Sequence, residues 1–218
     1  MKKRILAFGD SNTWGYDVLH PESPRFSEEI RWPMVMARHL GEGFAVFEEG
    51  LNGRTTVFED PLNEGMSGIS YLAPCLKSHY PLDLVIVMLG TNDCKERFSA
   101  TAANIALGLD MLLTKAERLD TVWRDKPRFL VFAPGPILKE CEASPAGHDM
   151  GICSHKSYGL AQEFLPIAKK HGAVFFDLKG FVEMNQVDYM HLTASSHRKL
   201  GEKAARLVEE LFEMDELH

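Results

Sequence analysis

Asp83-Leu84-Val85-Ile86-Val87-Met88-Leu89-Gly90-Thr91-Asn92-Asp93 is the stretch on which the fold turns. Its apolar run does not alternate with polar residues, and it stops at a glycine. A strand apolar on both faces belongs inside a parallel sheet covered by helices on both sides. Upstream, Arg4 to Phe8 reads as a strand closed by a Gly-Asp-Ser-Asn turn, and Phe44 to Glu48 as another. Downstream, Arg128 to Ala133 is a strand ended by Pro134-Gly135-Pro136, and Ala173 to Leu178 is a fifth.

Helical patterns lie between these strands. Trp32 to Leu40 is one. Thr101 to Arg118 places Ile105, Leu109, Leu112, Leu113 and Ala116 at helical spacing. Ser157 to His171 is followed by Gly172, well placed as a helix stop. Thr193 to Leu211 carries Leu200, Ala204, Leu207 and Leu211 on one face. Strands alternating with helices predict an α/β fold with a parallel sheet of about five strands between two helical layers, in one domain over residues 1–218. In such sheets ligands bind outside the carboxyl ends of the strands. Three segments, Tyr16 to Arg31, Phe58 to Gly68 and Ile137 to Ser154, read as longer loops, the last suited to a lid or a subunit contact.

Composition narrows the function. Of 218 residues, 45% are hydrophobic and 25% charged, enough to bury a core, and the formal net charge of -7 comes without a Lys/Arg cluster. That argues against a nucleic-acid binder, which needs a basic surface. The four cysteines, at 75, 94, 141 and 153, form no C-x-x-C pair and read as reduced thiols. The apolar run after Lys2-Lys3-Arg4 is shorter than a signal-peptide core and meets Gly9-Asp10, so it reads as a strand. No stretch approaches the roughly 18 apolar residues of a membrane span. The expectation is a soluble, cytoplasmic protein without membrane or nucleic-acid partners.

Four segments at or near the ends of predicted strands carry chemistry, the fourth just before the last helix. Ser11, in the turn after the first strand, could present its hydroxyl at the top of the sheet with its own N–H aimed at a developing oxyanion; the same serine could be a turn residue only. Gly53, in Asn52-Gly53-Arg54-Thr55, offers an unobstructed backbone N–H or simply a tight turn. Asn92, in Gly90-Thr91-Asn92-Asp93, offers a side-chain amide donor or a helix cap. Asp188 and His191, three residues apart, suit a carboxylate that orients an imidazole base, or a helix start capped by Thr193. Singly each admits the plainer reading. Together, on one edge of one sheet, they supply a nucleophile, oxyanion donors and an oriented base, which is what acyl transfer requires.

These four blocks, G-D-S-N, N-G-R-T-T, G-T-N-D and D-Y-M-H, resemble those of the SGNH (GDSL-type) hydrolase superfamily, in order and over nearly the whole chain. The runs R-I-L-A-F-G-D-S-N-T-W-G, E-E-G-L-N-G-R-T-T and D-L-V-I-V-M-L-G-T-N-D are similar to its small bacterial arylesterases and acyltransferases. The resemblance implies a flavodoxin-like three-layer α/β/α sandwich, Ser11 as nucleophile with Asp188 and His191 as partners, and an oxyanion hole from the Ser11 and Gly53 N–H groups and the Asn92 side chain. It implies short-chain, acetyl-type esters of aryl alcohols or sugars as substrates, with acyl transfer besides hydrolysis, and homo-oligomers up to octamers. The signature departs from G-D-S-L at Asn12, which bears on the hydrogen bonding of the turn.

Asp10, Asn12, Trp14 and Arg54 are further candidates for lining or supporting the site: Trp14 as an acyl or aryl wall or as packing, Asp10 and Arg54 as supports or an ion pair. Cys94 lacks a neighbouring base and reads as an inert buried thiol. His148, Cys153 and His155 match no metal spacing, and neither metal nor cofactor is expected. The remaining alternatives are a lysophospholipase or thioesterase acting on longer acyl chains, a non-catalytic ligand-binding module on a flavodoxin-like frame, and a nucleotide-binding enzyme. The last lacks both G-x-G-x-x-G after the first strand and G-x-x-x-x-G-K-[ST].

Overall fold

The computed structural model describes residues 1–216. The order of elements is β1 Lys3–Gly9, α1 Ser11–Trp14, α2 Trp32–Leu40, β2 Phe44–Gly50, α3 Gly68–Ser78, β3 Leu84–Met88, α4 Ala102–Glu117, β4 Phe129–Ala133, α5 Gly147–Met150, α6 Ser154–Ser157, α7 Leu160–Lys170, β5 Val174–Asp177 and α8 Ala194–Glu216. The five strands form one sheet in the order β2-β1-β3-β4-β5, every pairing parallel. This is the flavodoxin-like order that the resemblance implied, and the covered parallel sheet expected from residues 83–93 is the one observed.

All five residues of β3 are buried, because helices cover both faces. Leu6 and Phe8 of β1 with Val85 and Val87 of β3 point to one side, against Leu72 and Leu76 of α3, Ile105, Leu109, Leu112 and Leu113 of α4, and Phe164 of α7. Ile5, Ala7, Leu84 and Ile86 point to the other, against Trp32 and Met36 of α2 and Leu200, Ala204 and Val208 of α8. The period-2 alternation of each strand thus feeds two cores, one per face. Register places Gly9, the last residue of β1, opposite Gly50 of β2 and Met88 of β3. The segments that follow these strands therefore converge at one edge.

Two elements depart from the sequence reading. Helix α3 lies in a stretch read as neither strand nor helix. Leu72, Cys75 and Leu76 do carry helical spacing, but Pro74 sits inside the helix, and an interior proline argues against one. The expected helix from Ser157 begins at Leu160, since Ser157 ends the separate α6. Its far end agrees with expectation: Gly172 has φ +60, and Gly172 N–H and Ala173 N–H donate to the carbonyls of Lys169 and Ala168 in a Schellman stop. The segment Ile137 to Ser154 is a packed excursion, holding a 3₁₀ turn, α5 and the start of α6, pinned where Ile137 N–H donates to Ser157 Oγ at 2.9 Å. No helix among the described residues is long and apolar enough to cross a membrane. The four cysteines are buried and free.

Candidate active site

Ser11 is the first residue of α1, and Asp10 caps that helix by accepting from Asn12 N–H at 2.9 Å. The cap turns the chain sharply off β1, and Gly15, at φ 90, ends the helix after one turn. The Ser11 side chain is held at the carboxyl edge of the sheet. His191 arrives from the far end of the chain, its Nε2 2.8 Å from Ser11 Oγ and its Nδ1 2.7 Å from Asp188 Oδ2. With Nδ1–H donating to the carboxylate, Nε2 is the acceptor facing the serine hydroxyl, the tautomer that general-base work needs.

Asp188 is fixed from several directions. Its Oδ1 accepts from Asn185 Nδ2 at 2.7 Å and from the N–H groups of Met190 and His191 at 3.1 Å each. Burial pushes its carboxyl up, but the His191 hydrogen bond and charge, the Met190 N–H and Asn185 outweigh it and hold it at about 2. The turn that allows this puts Tyr189 at φ 62, a left-handed conformation uncommon for a non-glycine residue.

Asn12 Nδ2 donates to Met190 O at 3.2 Å and Asn12 Oδ1 accepts from Leu192 N–H at 2.9 Å, bracketing His191 on both sides. The departure from G-D-S-L is therefore a brace between the serine turn and the histidine loop. Thr193 does cap α8, accepting from Ser196 N–H at 3.1 Å, so the plainer reading of that segment and the Ser11–His191–Asp188 relay coexist.

The oxyanion candidates converge on the same spot. Gly53, at φ +88, and Asn92 line one cavity with Ser11 and His191. Asn92 Nδ2 donates one hydrogen to Arg54 O at 3.1 Å, which fixes the amide and leaves its second hydrogen available. Arg54, expected near the site, stands behind it: its Nη1 donates to Gly9 O at 2.9 Å and to Glu49 O, tying the ends of β1 and β2. It makes no ion pair with Asp10. Asp10 is 1% exposed, and burial pushes its carboxyl up to about 6 despite the Asn12 N–H and the nearby His191. Asp93 takes the Thr56 N–H and hydroxyl; burial pushes it up to about 7.

Trp14 does not line the cavity. It lies under the Arg25 guanidinium, 5.0 Å from the ring centroid, and the aromatic beside His191 is Tyr16, at 4.6 Å between centroids. Tyr16 and Asn185 went unnoticed in the sequence, because nothing in their spacing links them to Ser11 or Asp188. Cys94 is fully buried with Sγ 3.4 Å from Gly90 O, and burial pushes its thiol up, so it is no nucleophile here.

The cavity holds about 460 Å³, within the range of small-molecule sites. Met66, Met150, Val187 and Ala146 give it apolar walls, and Asn52, Asn63, Lys95 and Asp149 a polar side. The loops Phe58 to Gly68 and Ile137 to Ser154 thus both shape it. They are joined by an ion cluster in which Lys95 Nζ lies 3.1 Å from Asp60 and 3.0 Å from Asp149, with Arg97 also bridging both carboxylates.

The model of the GDSL-like lipase/acylhydrolase family matches residues 7–199. No curated protein sequence matches the chain. Among solved structures, the aryl esterase of M. smegmatis is 39% identical over 96% of this chain and 99% of its own, with a TM-score of 0.86. Est24, a carbohydrate acetylesterase from Sinorhizobium meliloti, is 36% identical over 96% of this chain and 100% of its own, with a TM-score of 0.87. A member of the lipolytic G-D-S-L family from Veillonella parvula, 15% identical over 94% of this chain and 97% of its own, shares the fold at a TM-score of 0.67.

Proposed function

Since the chain belongs to the GDSL-like lipase/acylhydrolase family and is an ester hydrolase, we propose that it works by a Ser11–His191–Asp188 acyl-enzyme mechanism on short acyl esters of aryl alcohols or sugars. The observation that carries this reading is the unbroken hydrogen-bonded relay, 2.7 Å from Asp188 to His191 and 2.8 Å from His191 to Ser11.

In the first step His191 Nε2 takes the Ser11 proton as Oγ bonds to the ester carbonyl carbon, and Asp188 stabilises the imidazolium. The carbonyl oxygen becomes an oxyanion that accepts from the Ser11 N–H, the Gly53 N–H and the second amide hydrogen of Asn92, each donor contributing about 2.7–4 kcal/mol if it behaves as measured donors do. The imidazolium then gives its proton to the departing alcohol, leaving an acyl-Ser11 ester. Water, deprotonated by His191, releases the acid; an alcohol or peroxide in its place yields the transfer product.

The polar side of the cavity, with Asn52, Asn63, Lys95 and Asp149, supports an alcohol portion that carries hydroxyl groups. The similarity to an aryl esterase and to a carbohydrate acetylesterase supports the same substrate class. The test is p-nitrophenyl acetate turnover by the wild type beside Ser11→Ala, both shown to be equally folded. Turnover should drop by roughly 10³-fold or more. Equal rates in the two proteins would remove Ser11 as the ester nucleophile.

A further inference from the structure

Away from the cavity, on the edge strand of the sheet, three side chains with metal-ligating atoms meet. They are Glu49 of β2, Cys75 of α3 and His79 just past the end of α3, and their ligand atoms all lie within 4.8 Å of one another. No sequence spacing joins them, because Glu49 and Cys75 are far apart along the chain. Cys75 and His79 stand four residues apart, one helical turn, so they fall on the same face. That face packs against β2, and His79 Nε2 already sits 2.7 Å from Glu49 Oε1.

From this geometry we propose that Glu49, Cys75 and His79 form a binding site for a single borderline-soft divalent transition metal of the zinc type. One thiolate, one imidazole and one carboxylate make a donor set that suits such an ion and not calcium or magnesium, which take oxygen ligands. In a tetrahedral site with ordinary metal–ligand bond lengths the donor atoms are roughly 3.3–3.6 Å apart. The 2.7 Å contact between Glu49 and His79 would open slightly, and because no separation in the set exceeds 4.8 Å, side-chain adjustments of about an ångström reach that arrangement. On binding, the Cys75 thiol loses its proton to solvent and His79 ligates as neutral imidazole through Nε2.

The surroundings favour a fixed site. The Phe47 ring packs against His79 at 4.7 Å between centroids, tilted by 35°, and Arg4 Nη2 donates to His79 O at 3.1 Å, which holds the histidine in place. Tyr71 Oη lies 3.4 Å from Glu49 Oε2, so the second carboxylate oxygen has an orienting donor. The Cys75 side chain is fully buried, while the Glu49 and His79 side chains are 19% and 23% exposed, leaving a route in from solvent. Arg54 and Arg4 are opposing charges nearby; Arg54 Nη1 donates to Gly9 O and Glu49 O and Arg4 to His79 O, and the thiolate and carboxylate bring two negative charges to the ion. The ion would clamp the end of α3 onto β2.

The test is a cobalt(II) titration of chelator-stripped protein, followed by absorbance, with zinc competition and thermal melts. The expected result is one equivalent of cobalt giving a thiolate-to-metal charge-transfer band and tetrahedral visible bands, displaced by zinc. Zinc should also raise Tm. Cys75→Ser should lose the charge-transfer band, and Glu49→Gln should weaken cobalt binding at least tenfold. No band at a hundredfold excess of cobalt, or a band undiminished in Cys75→Ser, overturns the proposal. If Cys75→Ser does not fold, Glu49→Gln and His79→Gln decide it: affinity equal to wild type in both overturns it. None of these readouts uses ester turnover, so their failure leaves the acyl-enzyme reading untouched.

Discussion

Asn12 shows how one side chain can couple two ends of a chain. It donates to Met190 O and accepts from Leu192 N–H, the two peptide groups flanking His191. Asn12→Ala leaves both buried groups unpaired, which costs about 1–3 kcal/mol of stability. A comparable loss of transition-state positioning lowers kcat about tenfold. Because Asn12 is not among the residues lining the cavity, KM should stay near its wild-type value. Steady-state kinetics beside urea melts would check this; an unchanged kcat in a folded variant would show that His191 needs no such brace. The residue itself was conspicuous in the sequence as a departure from G-D-S-L. Its partners were not, since they lie about 180 positions away.

At the scale of elements, the site depends on close approach between α1 and the end of β2. A Cβ built on Gly50 would lie 2.2 Å from Trp14 N, a backbone atom that cannot give way cheaply. Gly50→Ala should therefore cost about 3 kcal/mol or more, since the strain must move either the strand end or the helix that holds Ser11. A denaturation midpoint equal to wild type would contradict this. Gly53 differs. Its φ of +88 strains any other residue, but the nearest obstacle to a Cβ is the flexible end of Met66, with Sδ at 3.0 Å. Gly53→Ala is expected to lose only about 1–3 kcal/mol of stability. If the Gly53 N–H serves the oxyanion, kcat should fall at least tenfold as relief of the strained φ re-aims that N–H, so activity and melting measured together separate the two effects.

For the whole molecule, buried carboxyls set the response to pH in two opposite senses. Asp188 and Asp60 are both held at about 2: burial raises each, but for Asp188 the His191 bond and for Asp60 the Leu62 N–H, Lys95 and Arg97 prevail. An acid whose folded pKa lies below its unfolded value contributes stability above the unfolded value, and that stability is lost as pH falls from about 4 through 2. Asp93, pushed up to about 7 by burial, acts in reverse. It holds its proton in the folded state after the unfolded chain has lost it, so stability falls as pH rises from about 4 to 7. Melting temperature should thus peak on the acid side of neutrality, and Asp93→Asn should flatten the decline above that peak. Scanning calorimetry from pH 3 to 9 would check both; a slope unaltered in Asp93→Asn would remove Asp93 as its cause.

Much was determined by the sequence alone. Residues 83–93 demanded a strand covered on both faces, the alternation of periods put helices between parallel strands, and three of the four blocks fell just after strands and the fourth just before the last helix. Those features are local, or follow from chain order, so they survive being read in one dimension. Other features were decided only by tertiary structure. Helix α3 formed across Pro74 because Leu72, Cys75 and Leu76 had a core to bury into. Tyr16 rather than Trp14 came to rest beside His191, and Asn185 became the anchor of Asp188. Glu49, Cys75 and His79 were gathered at one edge of the sheet. The physical reason is common to all of these: each depends on contacts between segments whose separation along the chain carries no period, and only packing, by fixing which faces meet, brings them within bonding distance.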